Sequence, residues 1–397
     1  MNVIGNWGDR ALAHARAIAR TPRGSASQAE TEAARYVQMQ LAALGVADVR
    51  MQAFRGLRSI WLFLAQAFGL ALVGHAAYWL LRSPLGGWLA WLISLLAFAL
   101  SSYLILRKFT FRDYLLRETL PHGPSQNVLA AIPPAGDVQR TVVLVGHLDS
   151  HRSVFWYAND FLVKFYALSG PVALYGAFIA PFLYALAELT GLQLFTWVGV
   201  YIALNHFLGW LTGMTADLAP YSPGANDNAA AVGTILTLAE RLKAQPLRHT
   251  RVWLALTGCE ETGCDGLLAL LKEHGEELRD ALFLDFELVG IGERLVYLQS
   301  EGMIRRRTIP ADVQRLVTEA GRDFGLQPIR ATIMGVFTEA GTAWEHGYKA
   351  VCILAQRQNS PLLPEWHRLT DTPDRLQAET LERVHSLAWE ILQHLDQ

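Results

Sequence analysis

Two stretches near the start of the chain lack the charged positions that a water-facing helix needs. Residues 59–81, "SIWLFLAQAFGLALVGHAAYWLL", and residues 85–106, "LGGWLAWLISLLAFALSSYLIL", contain no formally charged side chain. Each is close to the roughly 20 residues with which a helix crosses the hydrocarbon of a bilayer. A second apolar block follows, "FLVKFYALSGPVALYGAFIAPFLYALAEL" from residue 161 and "LQLFTWVGVYIALNHFLGWLTGM" after it. Gly, Pro and Trp inside these runs suit membrane helices better than soluble ones. The pattern predicts four spans in two hairpins, the first closed at "RSP" (82–84). Lys164 and Glu188 fall near span ends, where long side chains reach out of the lipid; neither they nor His206 is given a role.

With the hairpins set aside, the remaining pattern changes period. "TVVLVGHLDS", "RVWLALTGCEE", "ALFLDFELVG" and "KAVCILA" are short apolar runs, while "AAAVGTILTLAERLKA" and "CDGLLALLKEHGEEL" repeat with helical spacing. Fully apolar strands separated by helices predict an α/β fold, a mostly parallel mixed sheet sandwiched by helices. The two apolar α-hairpins are insertions in it. The expected layout is a catalytic-type domain over 1–57, 108–157 and 216–397, interrupted by hairpins at 58–107 and 158–215.

Composition sharpens this picture. Hydrophobic residues make up 52% and charged ones 18% of the 397, and the mean hydropathy is +0.20, too apolar for an ordinary soluble chain of this length. A lipid bilayer is therefore an expected partner. The net charge of −2, with no long basic run, leaves no electrostatic footprint for nucleic acid. Cys259, Cys264 and Cys352 are too few and too irregularly spaced for a disulfide framework and read as small buried residues. The N-terminus lacks a basic segment followed by an apolar one, so no cleavable signal is expected. Arg55, Arg58, Arg107, Lys108, Arg112 and Arg117 flank the first hairpin on the side of the polar domain, against Arg82 at its tip. That bias places the polar domain on the cytoplasmic side.

Ligands of such sheets bind beyond the carboxyl ends of the strands, and ionisable residues collect there. His147 and Asp149 follow the first run, Glu260 and Glu261 the second, and Asp285 ends the third. Asp227 lies in "SPGANDNAAA" before a helix and His367 in "PEWHRLTDTPD". So dense an acidic cluster repels itself unless cations neutralise it. Two His with Asp and Glu suit zinc, with cobalt or manganese as substitutes. Five donors exceed what one tetrahedral zinc takes from a protein, and two ions sharing a carboxylate use them all. In that arrangement Asp227 bridges, His147 and Asp285 hold one ion, and Glu261 and His367 the other. Of the adjacent pair, Glu261 is expected to bind metal and Glu260 to act as general base. Asp149, two residues from His147, is expected to fix the imidazole tautomer. His151, His122, His274 and His346 read as surface or loop residues.

At this point the sequence resembles the M28 metallopeptidases, zinc aminopeptidases on a phosphorylase/hydrolase-like α/β sandwich. The resemblance rests on "VVLVGHLDS", "GANDNAAAVGTILTLAERL", "LTGCEETGCDG", "LFLDFELVG" and "WHRLTDTPDRL", together with "PRGSASQAETEAARYVQMQLAALGVADVRMQAF" and "SQNVLAAIPP", in the family's order. It implies two zincs on His147, Asp227, Glu261, Asp285 and His367, with Glu260 as base, and a peptide or small amide as substrate. Two departures stand out: the second hairpin occupies a loop that is usually short, and "FTEAGTAWEHGY" replaces a Ser-Asp-His segment that shapes the substrate pocket. Two rivals remain, a zinc amidohydrolase or glutaminyl cyclase of the same fold, and a membrane receptor or transporter component that only binds ligand. Neither the oligomeric state nor the side-chain preference is legible.

Overall fold

The computed structural model describes residues 6–331 and 337–397. The first five residues of the 1–57 segment, where the absence of a signal is in part read, lie outside them.

The chain opens with α1 (Trp7–Ile18) and α2 (Gln28–Ala43). Strand β1 (Arg50–Leu57) then runs almost directly into two long helices, α3 (Ile60–Leu85) and α4 (Gly87–Lys108). Strands β2 (His122–Ile132) and β3 (Arg140–His147) return to the sheet, and a second helical pair follows, α5 (Asp160–Thr190) and α6 (Gln193–Thr215). The rest alternates: α7 (Ala230–Ala244), β4 (Thr250–Thr257), α8 (Asp265–His274), β5 (Leu282–Glu287), β6 (Arg294–Glu301), β7 (Arg307–Thr308), α9 (Ala311–Ala320), β8 (Gln327–Arg330), α10 (Glu339–Glu345), β9 (Lys349–Gln356) and α11 (Ala378–Asp396).

Among the described residues the strands form one mixed sheet in the order β1-β2-β4-β3-β5-β9-β6-β7, with β8 paired to β6. Its centre, β4-β3-β5-β9, is parallel, and these strands are buried along nearly their whole length. The apolar runs thus become strands covered on both faces, as a parallel sheet demands. Strand β1 pairs antiparallel with β2, β2 with β4, and β6 with β7 and β9, while β8 lies parallel to β6, and this makes the sheet mixed.

Four helices, α3 to α6, are long and apolar enough to cross a membrane. Their outer faces carry large hydrophobic side chains in the open, with Leu80 74%, Leu96 76%, Phe182 71% and Trp197 66% exposed. So extended an apolar surface is unusual on a protein that meets water alone. The first hairpin turns later than "RSP" predicts. Helix α3 continues through Pro84 to Leu85, and the reversal comes at Gly86, with φ +83°. Proline is compatible with helical φ, whereas positive φ is readily supplied only by glycine.

The bundle is joined firmly to the sheet domain. Lys108, buried at the end of α4, donates to the carbonyl of Thr262. Ser59 Oγ donates to Asp217 (2.8 Å) and Tyr175 OH to the carbonyl of Met303 (2.6 Å). Inside the bundle small residues let helices meet closely, as in membrane proteins generally. A Cβ on Gly213 of α6 would fall 2.6 Å from the Trp61 carbonyl oxygen and 2.7 Å from Ala65 N. Gly213→Leu should therefore cost about 1–3 kcal/mol through overpacking, seen as a lower midpoint of thermal unfolding in detergent. Gly170→Ala, whose Cβ would meet nothing within 4 Å, should leave that midpoint level or raise it.

Candidate metal centre

The parallel strands end on one edge, and the loops leaving that edge carry the ionisable residues. His147 is the last residue of β3 and Glu287 the last of β5. Register places Val145 opposite Asp285, so two residues further on His147 comes level with Glu287. His147 Nε2 is 3.4 Å from Glu287 Oε2 and 3.3 Å from Asp227 Oδ1. On the other side of Asp227, its Oδ2 lies 3.4 Å from His367 Nε2, which is 3.2 Å from Glu261 Oε2. Asp227 thus stands between His147 with Glu287 on one side and His367 with Glu261 on the other.

Asp285 differs from the sequence expectation. It is buried one rung below, where Oδ2 accepts the backbone N–H of Ala340 (3.0 Å), and its near acidic neighbours are Glu287 and Glu339. The strand continues to Glu287 instead of stopping at Asp285, so the residue that reaches the edge is Glu287. His151 differs too. It is buried, its Nδ1 lies 2.8 Å from Glu261 Oε2, and its ring stacks on His367 at 3.9 Å. His346, by contrast, is tied to the Phe111 carbonyl, away from the donor groups.

Buried carboxylates position the loops. His147 Nδ1 donates to the Asp149 carbonyl oxygen (3.1 Å), which leaves Nε2 facing the site. The Asp149 carboxylate accepts from the backbone N–H groups of Glu260 (3.1 Å) and Glu261 (3.2 Å) and from Ser25 Oγ (2.6 Å). Asp371 accepts from the N–H of Asn226 (2.7 Å) and Asp227 (3.1 Å). Glu30 accepts from the N–H of Cys259 (2.8 Å) and Ala26 (3.1 Å) and from Ser125 Oγ (2.8 Å). Buried Arg23 donates to the carbonyls of Leu148, Pro223 and Gly224 (each 2.8 Å). Each loop is held by a charged side chain from a distant part of the chain. Among these, only Asp149 is assigned a positioning role on sequence grounds.

Burial makes the unneutralised cluster unfavourable. It pushes Glu260 well above the usual carboxylate range, aided by the charges of Glu287 and Glu261 and opposed by His147. Burial likewise raises Glu287 strongly, and lifts Asp285 to about 7 and Asp371 to about 8. Glu261 is the exception, since His367 and His151 outweigh burial and hold it well below the ordinary range. His147 is raised well above its usual value, because Glu287, Asp149 and Asp227 outweigh the burial that opposes its charge.

The donor set fits metal ions. His151, Glu261 and His367 form one group of converging ligand atoms, and His147, Asp227 and Glu287 a second. Among the described residues, the buried oxygens Glu261 Oε1 and Glu287 Oε1 there have no hydrogen-bond partner. Buried acceptors of this kind are normally satisfied, or they hold an ion. Mixed imidazole and carboxylate donors suit zinc.

Residues 212–392 match the family model described as Peptidase family M28. No curated protein matches the chain. Among solved structures, a Zn-dependent exopeptidase from Parabacteroides distasonis is 13% identical with a TM-score of 0.56, over 97% of each chain. A zinc aminopeptidase from Bacillus subtilis is 13% identical with a TM-score of 0.55, over 97% of this chain and 93% of that one. A glutaminyl cyclase from Bacteroides thetaiotaomicron, at 14% identity and a TM-score of 0.54, overlaps over 97% of both. These likenesses establish the zinc exopeptidase fold, and the family match supports a hydrolase of the metallopeptidase type.

The register of β5 against β3 ranks Glu287 above Asp285 as a ligand. Glu287→Ala should leave dialysed protein with clearly less zinc per chain than the parent. Asp285→Asn should cost at most roughly 10- to 100-fold in affinity, the range for partners that only orient a ligand. Metal analysis and competition with a chromogenic chelator measure both, and the opposite order would return Asp285 to the ligand set.

Proposed function

We propose, from the M28 match over residues 212–392 and the geometry above, that this chain is a membrane-anchored exopeptidase of the aminopeptidase type using two zinc ions. The observation that carries the reading is Asp227, whose two oxygens lie 3.3 and 3.4 Å from histidines of separate donor groups. His147, Glu287 and Asp227 would hold one ion, and His367, Glu261 and Asp227 the other. Separate donor groups, each with its own histidine, favour two ions over one. Zinc bound there would polarise the scissile carbonyl and acidify water.

Glu260 is the carboxylate left outside both donor groups. Its Oε2 is 3.9 Å from His147 Nε2, and its Oε1 accepts from Cys264 Sγ at 3.4 Å. It is placed to take the proton of the attacking water and return it to the leaving nitrogen, while water's oxygen joins the carbonyl carbon and the C–N bond breaks. Asp149 is a positioning residue, since it holds the backbone of both glutamates and the ring of His147. A receptor that merely binds has no need of a buried, unliganded carboxylate beside the donor groups, so that rival loses ground.

Helices α3 to α6 serve as the anchor in this reading, with the sheet domain on the cytoplasmic face. Arg55, Arg58, Arg107 and Arg112 supply the basic bias at that face. Four of the charges that point to this orientation have partners in the protein, since Lys108 binds the Thr262 carbonyl, Arg107 the Asp113 carbonyl (2.7 Å), and Arg55 and Arg117 pair with Glu118 (2.8 Å) and Asp265 (3.1 Å).

Glu260→Gln should lower kcat for hydrolysis of an amino-acid p-nitroanilide by about 10²–10⁴-fold, the range of a general base, with zinc content unchanged. Loss of metal in that variant would contradict the division of roles between Glu260 and Glu261. Dialysis against a chelator should abolish the parent activity and zinc should restore it; activity that survives metal removal would refute the metallohydrolase reading.

A further inference from the structure

The metal centre does not open only onto the sheet domain. A cavity that begins at His147, Asp227, Glu260, Glu261 and His367 continues between the apolar helices. Its far walls are Trp61, Leu64 and Phe68 of α3, Gly170 and Leu174 of α5, and Leu208 of α6. From Ile60 to Phe68, at 1.5 Å per residue, the wall extends about 12 Å along α3. Of the polar side chains on this wall, which include Tyr166, Ser169, Asn205 and Thr212, the last two are engaged by their own helix. Asn205 Nδ2 donates to the Tyr201 carbonyl and Thr212 Oγ1 to that of Leu208, both at 2.8 Å. The inner reach therefore offers apolar surface and little with which to hydrogen-bond a peptide backbone.

Where cavity and metal centre meet, the walls are aromatic. Trp61 packs edge-on against His151, with ring centres 5.7 Å apart, and Tyr157 packs edge-on against His367 at 4.7 Å. Helix α3 thus supplies a side chain, Trp61, that touches His151 of one donor group. A hairpin that only tethered the domain would have no reason to form a wall of its reaction chamber.

We propose that the amide cleaved at this centre is amphiphilic, with a hydrocarbon arm that lies between α3, α5 and α6 while its amide group meets the metal ligands. The proposal rests on the hydrolase reading above and adds the substrate class. The arm belongs either to the acyl side or to the amine side of the amide, and the reaction is the same in both cases. Water adds hydroxyl to the carbonyl carbon and hydrogen to the nitrogen, releasing a carboxylic acid and an amine. The apolar arm needs no charged partner in the bundle, because burial of its methylenes drives its entry.

The test uses the full chain, zinc-loaded, in lipid nanodiscs. Binding of n-alkyl hydroxamates, whose heads chelate zinc, is measured with chains of 2, 6, 10 and 14 carbons. Hydrolysis is measured in parallel for leucine n-alkylamides and N-alkanoyl leucines of the same lengths. Each methylene buried should raise affinity by up to about three- to fourfold, so the expected result is at least a 100-fold gain from the shortest to the longest hydroxamate. Whichever substrate series shows a matching rise in kcat/KM identifies the side that carries the arm. Gly170→Phe should cut the long-to-short ratio at least tenfold, and this separates entry into the cavity from simple partition into lipid, which the variant leaves alone.

Hydrolysis of short amides without chain-length dependence would overturn the proposal and leave the peptidase reading standing. An equal chain-length gain in parent and Gly170→Phe would overturn it too. Chain-length-dependent binding that the variant reduces, with no hydrolysis in either series, would uphold the lipophilic arm and refute the hydrolase.

Discussion

Carboxylates crowded at one buried edge of the sheet are the constraint around which this molecule is organised. Asp227, Glu260, Glu261, Asp285, Glu287 and Glu339 are all nearly or fully buried within one region. Charges so close, in a medium that screens them poorly, cannot coexist without cations or protons. The fold answers with two histidines that meet Asp227 from opposite sides, and with N–H groups turned toward Asp149, Asp371 and Glu30. A cluster of this kind persists only if something gains from it, and its converging donor atoms indicate that the gain is metal.

The acids that bind no metal are as much part of the centre as those that would. Asp149 joins the loop after β3 to the loop after β4, and Asp371 joins the His367 segment to the Asp227 turn. Arg23 and Glu30 extend the same bracing to the first 30 residues. Parts of the chain up to 229 residues apart are thereby set against one another with short hydrogen bonds, and the geometry of the donors follows from that bracing.

Much of this was legible before any coordinates. Unbroken apolar runs gave the parallel strands and the four long helices, because burial on two faces, or in lipid, leaves no room for alternation. Residues brought by separate strands, His147, Asp227, Glu261 and His367, were legible as one group because strand ends share one edge. The difference at Asp285 has a physical origin. The run "LFLDFE" places both acids on the same face, two residues apart, and only the register with β3 tells which one reaches His147. That register is a property of the assembled sheet. His151 was passed over because nothing beside it in sequence marks a ligand; its partners, Glu261 and His367, arrive from far along the chain. Arg23, Glu30 and Asp371 were illegible for the same reason, since a side chain that braces a distant backbone leaves no local pattern. Strands β6 to β8 carry no long apolar run, since Arg294, Gln299, Ser300 and Glu301 interrupt β6 and the other two have only two and four residues.

The junction between β1 and α3 has a geometric consequence. Only Arg58 and Ser59 separate Leu57, the end of the strand, from Ile60, the start of the helix. The Leu57 N–H is bound by Asp265 at 2.9 Å, and Ser59 caps α3. No hinge lies between sheet and bundle at this point. With α3 seated in a bilayer, the height of the strand-end chemistry above the lipid headgroups becomes a fixed dimension of the molecule. Such a protein surveys its surroundings by drifting in two dimensions at constant depth, and it samples a layer of the cell where a tethered, swinging domain would sample a volume.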